Sequence, residues 1–93
     1  GVDYPGISPL HCCLKDTKRA RYTSASDEDA LKAYKLVSRL ENISPSLEPS
    51  HAFSEAISLA PKLKSSDIII VNSCGDSLKD KDIIKQRLGS YVR

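Results

Sequence analysis

Ser66-Asp67-Ile68-Ile69-Ile70-Val71-Asn72-Ser73-Cys74-Gly75 is the stretch on which the fold turns. Residues 68–71 are four consecutive β-branched apolar side chains. Such a run predicts a strand buried on both faces, as inside a parallel sheet covered by helices. It ends in small polar residues and a glycine, and a helical pattern resumes near Asp80. In open α/β sheets, ligands gather at the carboxyl ends of such strands. Residues 72–75 are therefore the first candidate site, although a plain strand-to-loop transition explains the pattern equally well.

The flanking sequence alternates with this strand. Upstream, Ala52, Phe53, Ala56, Ile57 and Ala60 recur at helical spacing, which predicts a helix over about 49–60. Pro49 suits its first turn and Pro61 ends it. An earlier helix is expected over 27–41. Ser26 can cap it, Asp27, Glu28 and Asp29 favour its positive pole, and Asn42 suits its left-handed close. Its apolar stripe is Ala30, Tyr34, Val37 and Leu40, with Leu31 and Ala33 alongside. Tyr22 and Thr23 give residues 20–24 strand propensity, and a short helix fits residues 10–14. Downstream, a helix over 80–88 would bury Ile83, Ile84 and Leu88 and stop at Gly89. The expected fold class is α/β. It has two short parallel strands, about 20–24 and 67–73, joined by a right-handed crossover and flanked by helices as part of a three-layer fold. Two strands make a poor sheet, so the run at 68–71 calls for neighbours that this chain does not supply.

Ninety-three residues allow one small domain, which buries only about 60–65% of its unfolded surface. One Phe and no Trp or Met leave Leu, Ile, Val and Tyr to fill the core. Residues 1–9 are rich in Pro and Gly and open on Gly1 rather than Met, which suggests entry in mid-fold and one incomplete domain over 1–93. Net charge is +2 with both signs interspersed. The densest basic cluster, Lys15, Lys18, Arg19 and Arg21, suits a solvated face and lacks the stripe or stacking aromatics of a nucleic-acid site. No apolar run approaches the ~20 residues that span a bilayer. No basic-then-apolar leader pattern opens the chain. Three cysteines, two of them adjacent (Cys12 and Cys13), do not make a disulfide framework, and a reducing interior compartment fits best.

Candidate chemistry is sparse. His11-Cys12-Cys13 has metal-ligand residue types but no second ligand pair at zinc spacing, so plain thiols are the simpler reading. Cys74 and His51 are a nucleophile and a base with nothing in the sequence to join them. Asp80 and Asp82 suit a helix start better than an acid/base pair. The four glycines, at 1, 6, 75 and 89, build no phosphate-cradling loop. Glu48 stands before a helix, either as an ordinary first-turn acid or as a carboxylate held near a ligand.

Five stretches together point further. Asp3-Tyr4-Pro5-Gly6-Ile7-Ser8-Pro9-Leu10-His11 resembles the segment G-L-D-Y-P-x-V-G-P-x-H of tryptophan synthase β chains. Arg19-Ala20-Arg21-Tyr22, continuing to Asp27-Glu28-Asp29-Ala30-Leu31, resembles R-A-x-Y-x-x-x-x-D-x-E-A-L. Leu47-Glu48-Pro49-Ser50-His51-Ala52 is similar to A-L-E-S-S-H-A. Ile70-Val71-Asn72-Ser73-Cys74-Gly75 is similar to V-V-N-L-S-G, and Lys79-Asp80-Lys81-Asp82 to G-D-K-D. Order and spacing hold throughout, save about two extra residues near Ser77 and Leu78.

The resemblance implies a fold-type II pyridoxal-phosphate enzyme that makes L-tryptophan from L-serine and indole by β-replacement. Its partners would be an α subunit that supplies indole and a second β chain. It implies the carboxyl-terminal part of that enzyme, inactive alone, because the cofactor-binding lysine, the phosphate loop and the acid–base glutamate lie upstream. Residue by residue, Asp3 and Glu48 match catalytic positions, and Glu48, Cys74 and Gly75 match cofactor-facing ones. The backbone carbonyls of Tyr4 and Gly6 match ligands of a monovalent cation, a hard ion suited to oxygen donors. A cytoplasmic location is expected, or a plastid in a plastid-bearing source. The family has Ser where Cys74 stands, Ser where Pro49 stands, and Gly-Arg-Gly where Asp76-Ser77-Leu78 stands. A non-catalytic binding module of the same fold and another lyase of fold-type II are the alternatives.

Overall fold

The structure is a computed structural model and describes residues 6–90. Four α-helices dominate it: α1 (Pro9–Asp16), α2 (Asp27–Glu41), α3 (Leu47–Leu59) and α4 (Lys81–Leu88). Short 3₁₀ turns follow α3 (Ala60–Lys62) and precede α4 (Ser77–Asp80).

Local signals set the helix ends. Ser26 and Asp29 form a reciprocal capping box at the start of α2, and Ser26 Oγ lies 2.6 Å from the Asp29 carboxylate. Those hydrogen bonds lower the pKa of Asp29. Asn42 closes the helix in the left-handed region (φ 55°), and Gly89 closes α4 at φ 72°. Ser8 caps α1, which extends the short helix expected at 10–14 by one residue before and two after.

α2 and α3 pack side by side, with Ala30 and Ala33 buried. Tyr34 of α2, Leu47 of α3 and Ile84 of α4 meet in the core, with Leu31 and Leu88 against them. Ile84 faces inward as expected, but Ile83 and Leu40 are exposed. No described helix is long and apolar enough to cross a membrane.

The expected α/β sheet is absent. Among the described residues there is no β-ladder: 21–26 and 67–74 belong to neither helix nor strand. The β-branched run fixes an extended backbone, which is a local property. A strand also needs a partner about 4.8 Å away to take its N–H and C=O groups. Here both segments line one open groove of about 400 Å³ on α3, bordered by Thr23, Ser24, Ala52, Ala56, Ile69 and Val71. Nor is the run buried on both faces. Ile68 and Ile70 are 86% and 90% exposed, whereas Ile69 is 38% exposed and Val71 half-buried. Exposure alternates along the run, Ile69 and Val71 being the more covered and Ile68 and Ile70 the more exposed.

Candidate functional site

At the carboxyl end of segment 67–74, loop 74–80 returns onto the start of α3. Ser46 occupies the N-cap position of α3 with extended backbone (φ −67°, ψ 168°), but its hydroxyl does not cap its own helix. Ser46 Oγ donates to the Cys74 carbonyl at 2.9 Å. The cap comes from 33 residues away: Leu47 N–H donates to Asp80 Oδ2 at 2.9 Å. A carboxylate at a helix start satisfies an orphan N–H and meets the positive end of the helix dipole. Ser77 N–H donates to the Ser44 carbonyl at 3.1 Å. Ser50 Oγ donates to the Ser46 carbonyl at 2.8 Å from a fully buried position. These bonds join residues 44–50 and 74–80 as a clasp.

Gly75 is the residue that lets the loop turn here. Its φ is +76°, which side chains rarely adopt, and a Cβ there would stand 3.1 Å from Ser46 Oγ. Asp76 steadies the next step by accepting from Leu78 N–H at 2.7 Å.

Glu48 and Lys79 complete the clasp. Lys79 Nζ lies 2.5 Å from Glu48 Oε1, with the glutamate side chain 24% exposed and the lysine 53%. The Lys79 hydrogen bond lowers the Glu48 pKa to about 2, against the opposing effect of burial, with help from backbone and Ser46 hydrogen bonds. Lys79 is raised in turn, first by the Glu48 hydrogen bond, against the opposing effect of burial, and further by the charges of Glu48 and Asp80. The site therefore holds two carboxylates, Glu48 and Asp80, one ammonium and one exposed free thiol, Cys74.

Known proteins match the chain with a single theme. It is 48% identical over 89 residues to the tryptophan synthase beta chain of Cereibacter sphaeroides, covering 96% of this chain and 22% of that one. The corresponding proteins of Fusobacterium nucleatum and Ruegeria sp. are 49% and 45% identical over 95% and 96% of this chain. No family model matches. The chain is a homologue of one segment of the tryptophan synthase β chain. It spans about a fifth of the length of the curated relatives it matches.

Against that tryptophan synthase resemblance, the clasp brings together three of the six expected site residues: Glu48, Cys74 and Gly75. Asp3 and Tyr4 lie outside the described residues. Gly6 is exposed ahead of α1 and makes no hydrogen bond to the clasp. The imagined Cys74–His51 couple does not form. His51 Nδ1 donates to the Leu47 carbonyl at 2.8 Å, and Nε2 lies 3.8 Å from Asp27. His11 sits beside Tyr22, with Nδ1 2.8 Å from the phenol oxygen. Lys79 is the member that sequence reasoning missed. Its signal was that it stands as a lysine where the G-D-K-D motif has glycine.

Proposed function

We propose that this segment is the carboxyl-terminal part of a pyridoxal-phosphate enzyme of the tryptophan synthase β type. The complete protein would form L-tryptophan from L-serine and indole, with an α subunit supplying indole and a second β chain completing a dimer. Similarity of 45–49% identity across nearly the whole chain carries this reading. The clasp supports it, because residues 26 and 27 positions apart in sequence, Glu48 with Cys74 and Gly75, meet at one loop.

The residues present fit such a cofactor on their own chemistry. The Gly75 turn is a place that a Cβ would obstruct. Cys74 offers an exposed thiol, a weak neutral donor suited to a ring nitrogen that must not be fully charged. Glu48 offers a carboxylate that stays ionised at neutral pH. When bound, the cofactor would act as the electron sink for chemistry at the serine β-carbon. This chain's contribution is to present the Cys74 donor, to hold negative charge at Glu48, and to keep the loop between them closed on α3. Asp3 would face the substrate side, and the carbonyls of Tyr4 and Gly6 would help hold a monovalent cation.

The test uses the complete gene product. Cofactor absorbance and tryptophan formation from serine and indole are expected in the native protein, with turnover strongly reduced in Glu48→Ala. Full turnover in that variant removes Glu48 from the site. A gene product that neither binds pyridoxal phosphate nor forms tryptophan overturns the enzyme reading and leaves the binding module.

A further inference from the structure

We propose that Lys79 is a positioning residue of this site: its ammonium fixes the Glu48 carboxylate at the start of α3 and carries the charge balance of the 74–80 loop. The proposal rests on the reading of the clasp as the cofactor-facing part of the protein.

Three observations lead to it. First, two carboxylates converge on one helix start. Asp80 already takes the Leu47 N–H, so the positive pole of α3 is engaged before Glu48 is considered. Glu48 is three-quarters covered, and burial favours the neutral acid. The cation that reverses this is Lys79, in direct contact with Glu48 Oε1. Second, the loop does not need Lys79 as a tether. Ser46 to Cys74, Ser77 to Ser44 and Leu47 to Asp80 hold it independently. What Lys79 adds is charge and direction. Third, Lys79 lies within electrostatic reach of Asp80 as well as Glu48. Because its own protonation is favoured, it is a poor nucleophile.

Titration of ¹³C-labelled glutamate carboxyls in the cofactor-free complete gene product tests this, with Glu48→Gln assigning the resonance. In the native protein, Glu48 should titrate with a midpoint about two units below that of an ordinary glutamate. In Lys79→Met the midpoint should rise into the ordinary range or above it, and Lys79→Arg should keep it low. A native Glu48 that titrates as an ordinary glutamate overturns the proposal without any variant having to fold. So does a low midpoint that is unchanged in Lys79→Met. In the cofactor-loaded protein, Lys79→Met should lower turnover and Lys79→Arg should restore it, while loss of turnover with the Glu48 titration unmoved contradicts positioning through Glu48. A complete protein that takes up no pyridoxal phosphate yet keeps the Lys79-dependent titration strikes the enzyme reading alone, so the two failures are told apart.

Discussion

The two ends of the extended segment 67–74 make opposite use of the same helix. At its carboxyl end, loop 74–80 meets the start of α3 with paired groups: hydroxyl to carbonyl, amide to carboxylate, ammonium to carboxylate. Along its length, Ile68 and Ile70 face solvent and the groove against α3 stays open. One end is a finished polar joint, and the other is an apolar surface with nothing over it. A few paired polar groups can complete a clasp between two loops. A strand face needs a second layer, because its apolar area and its backbone edge both have to be covered.

The sharpest way to break this contrast is to truncate both ends of the apolar scale. Ile84 is fully buried in the core, so Ile84→Ala should cost about 2–5 kcal/mol, read from urea unfolding. Ile70→Ala, at 90% exposure, should stay within about 0.5 kcal/mol. Equal losses would mean that residues 68–71 are packed. Next in size is the clasp. Gly75→Ala places a Cβ at positive φ close to Ser46, and should cost about 1–2 kcal/mol. Hydrogen exchange should accelerate first at Leu47 and Ser77, whose amides cross the joint. Ser26→Ala removes the capping box of α2, whose hydrogen bonds run between Ser26 and Asp29 and not to the clasp. It should cost about 1 kcal/mol and leave exchange at the clasp unchanged.

The smallest effect is a pH dependence. Glu48 has a folded pKa below its ordinary value of 4.5, near 2. Its stabilisation is therefore complete above about 4.5 and fades as pH falls toward 2. Lys79 is raised above its ordinary 10.5, so its share is complete below that value and is lost only at more alkaline pH. The pair should hold constant strength between these limits. Glu48→Gln should flatten the acid limb of the stability profile, leaving the part due to Asp29, whose pKa is also lowered. An acid limb identical in the variant would show that the pair is not formed.

The helices were legible because their signals are local. Ser26, Asn42 and Gly89 act within a few residues of themselves, and α2 runs over 27–41 as its caps and stripe require. The start of α3 moved from 49 to Leu47, since Pro49 fits anywhere in a first turn. The sheet was misread because four β-branched residues specify an extended backbone and say nothing of a partner. Leu40 and Ile83 were misplaced because a stripe drawn at helical spacing is wider than the surface available to cover it. Resemblance names Glu48, Cys74 and Gly75 as candidates, and the clasp brings them together. The bonds of the clasp are not legible in the sequence, because they cross about thirty residues and use a lysine and a serine that no local pattern distinguishes.

The most direct test of the account replaces Cys74 in the complete gene product and measures tryptophan formation from serine and indole. If the clasp presents a neutral donor to the cofactor's ring nitrogen, Cys74→Ser should retain most of the turnover and Cys74→Asp should largely abolish it. A fully active Cys74→Asp protein would mean that this residue does not face the nitrogen, and that the clasp is a structural joint rather than part of the site.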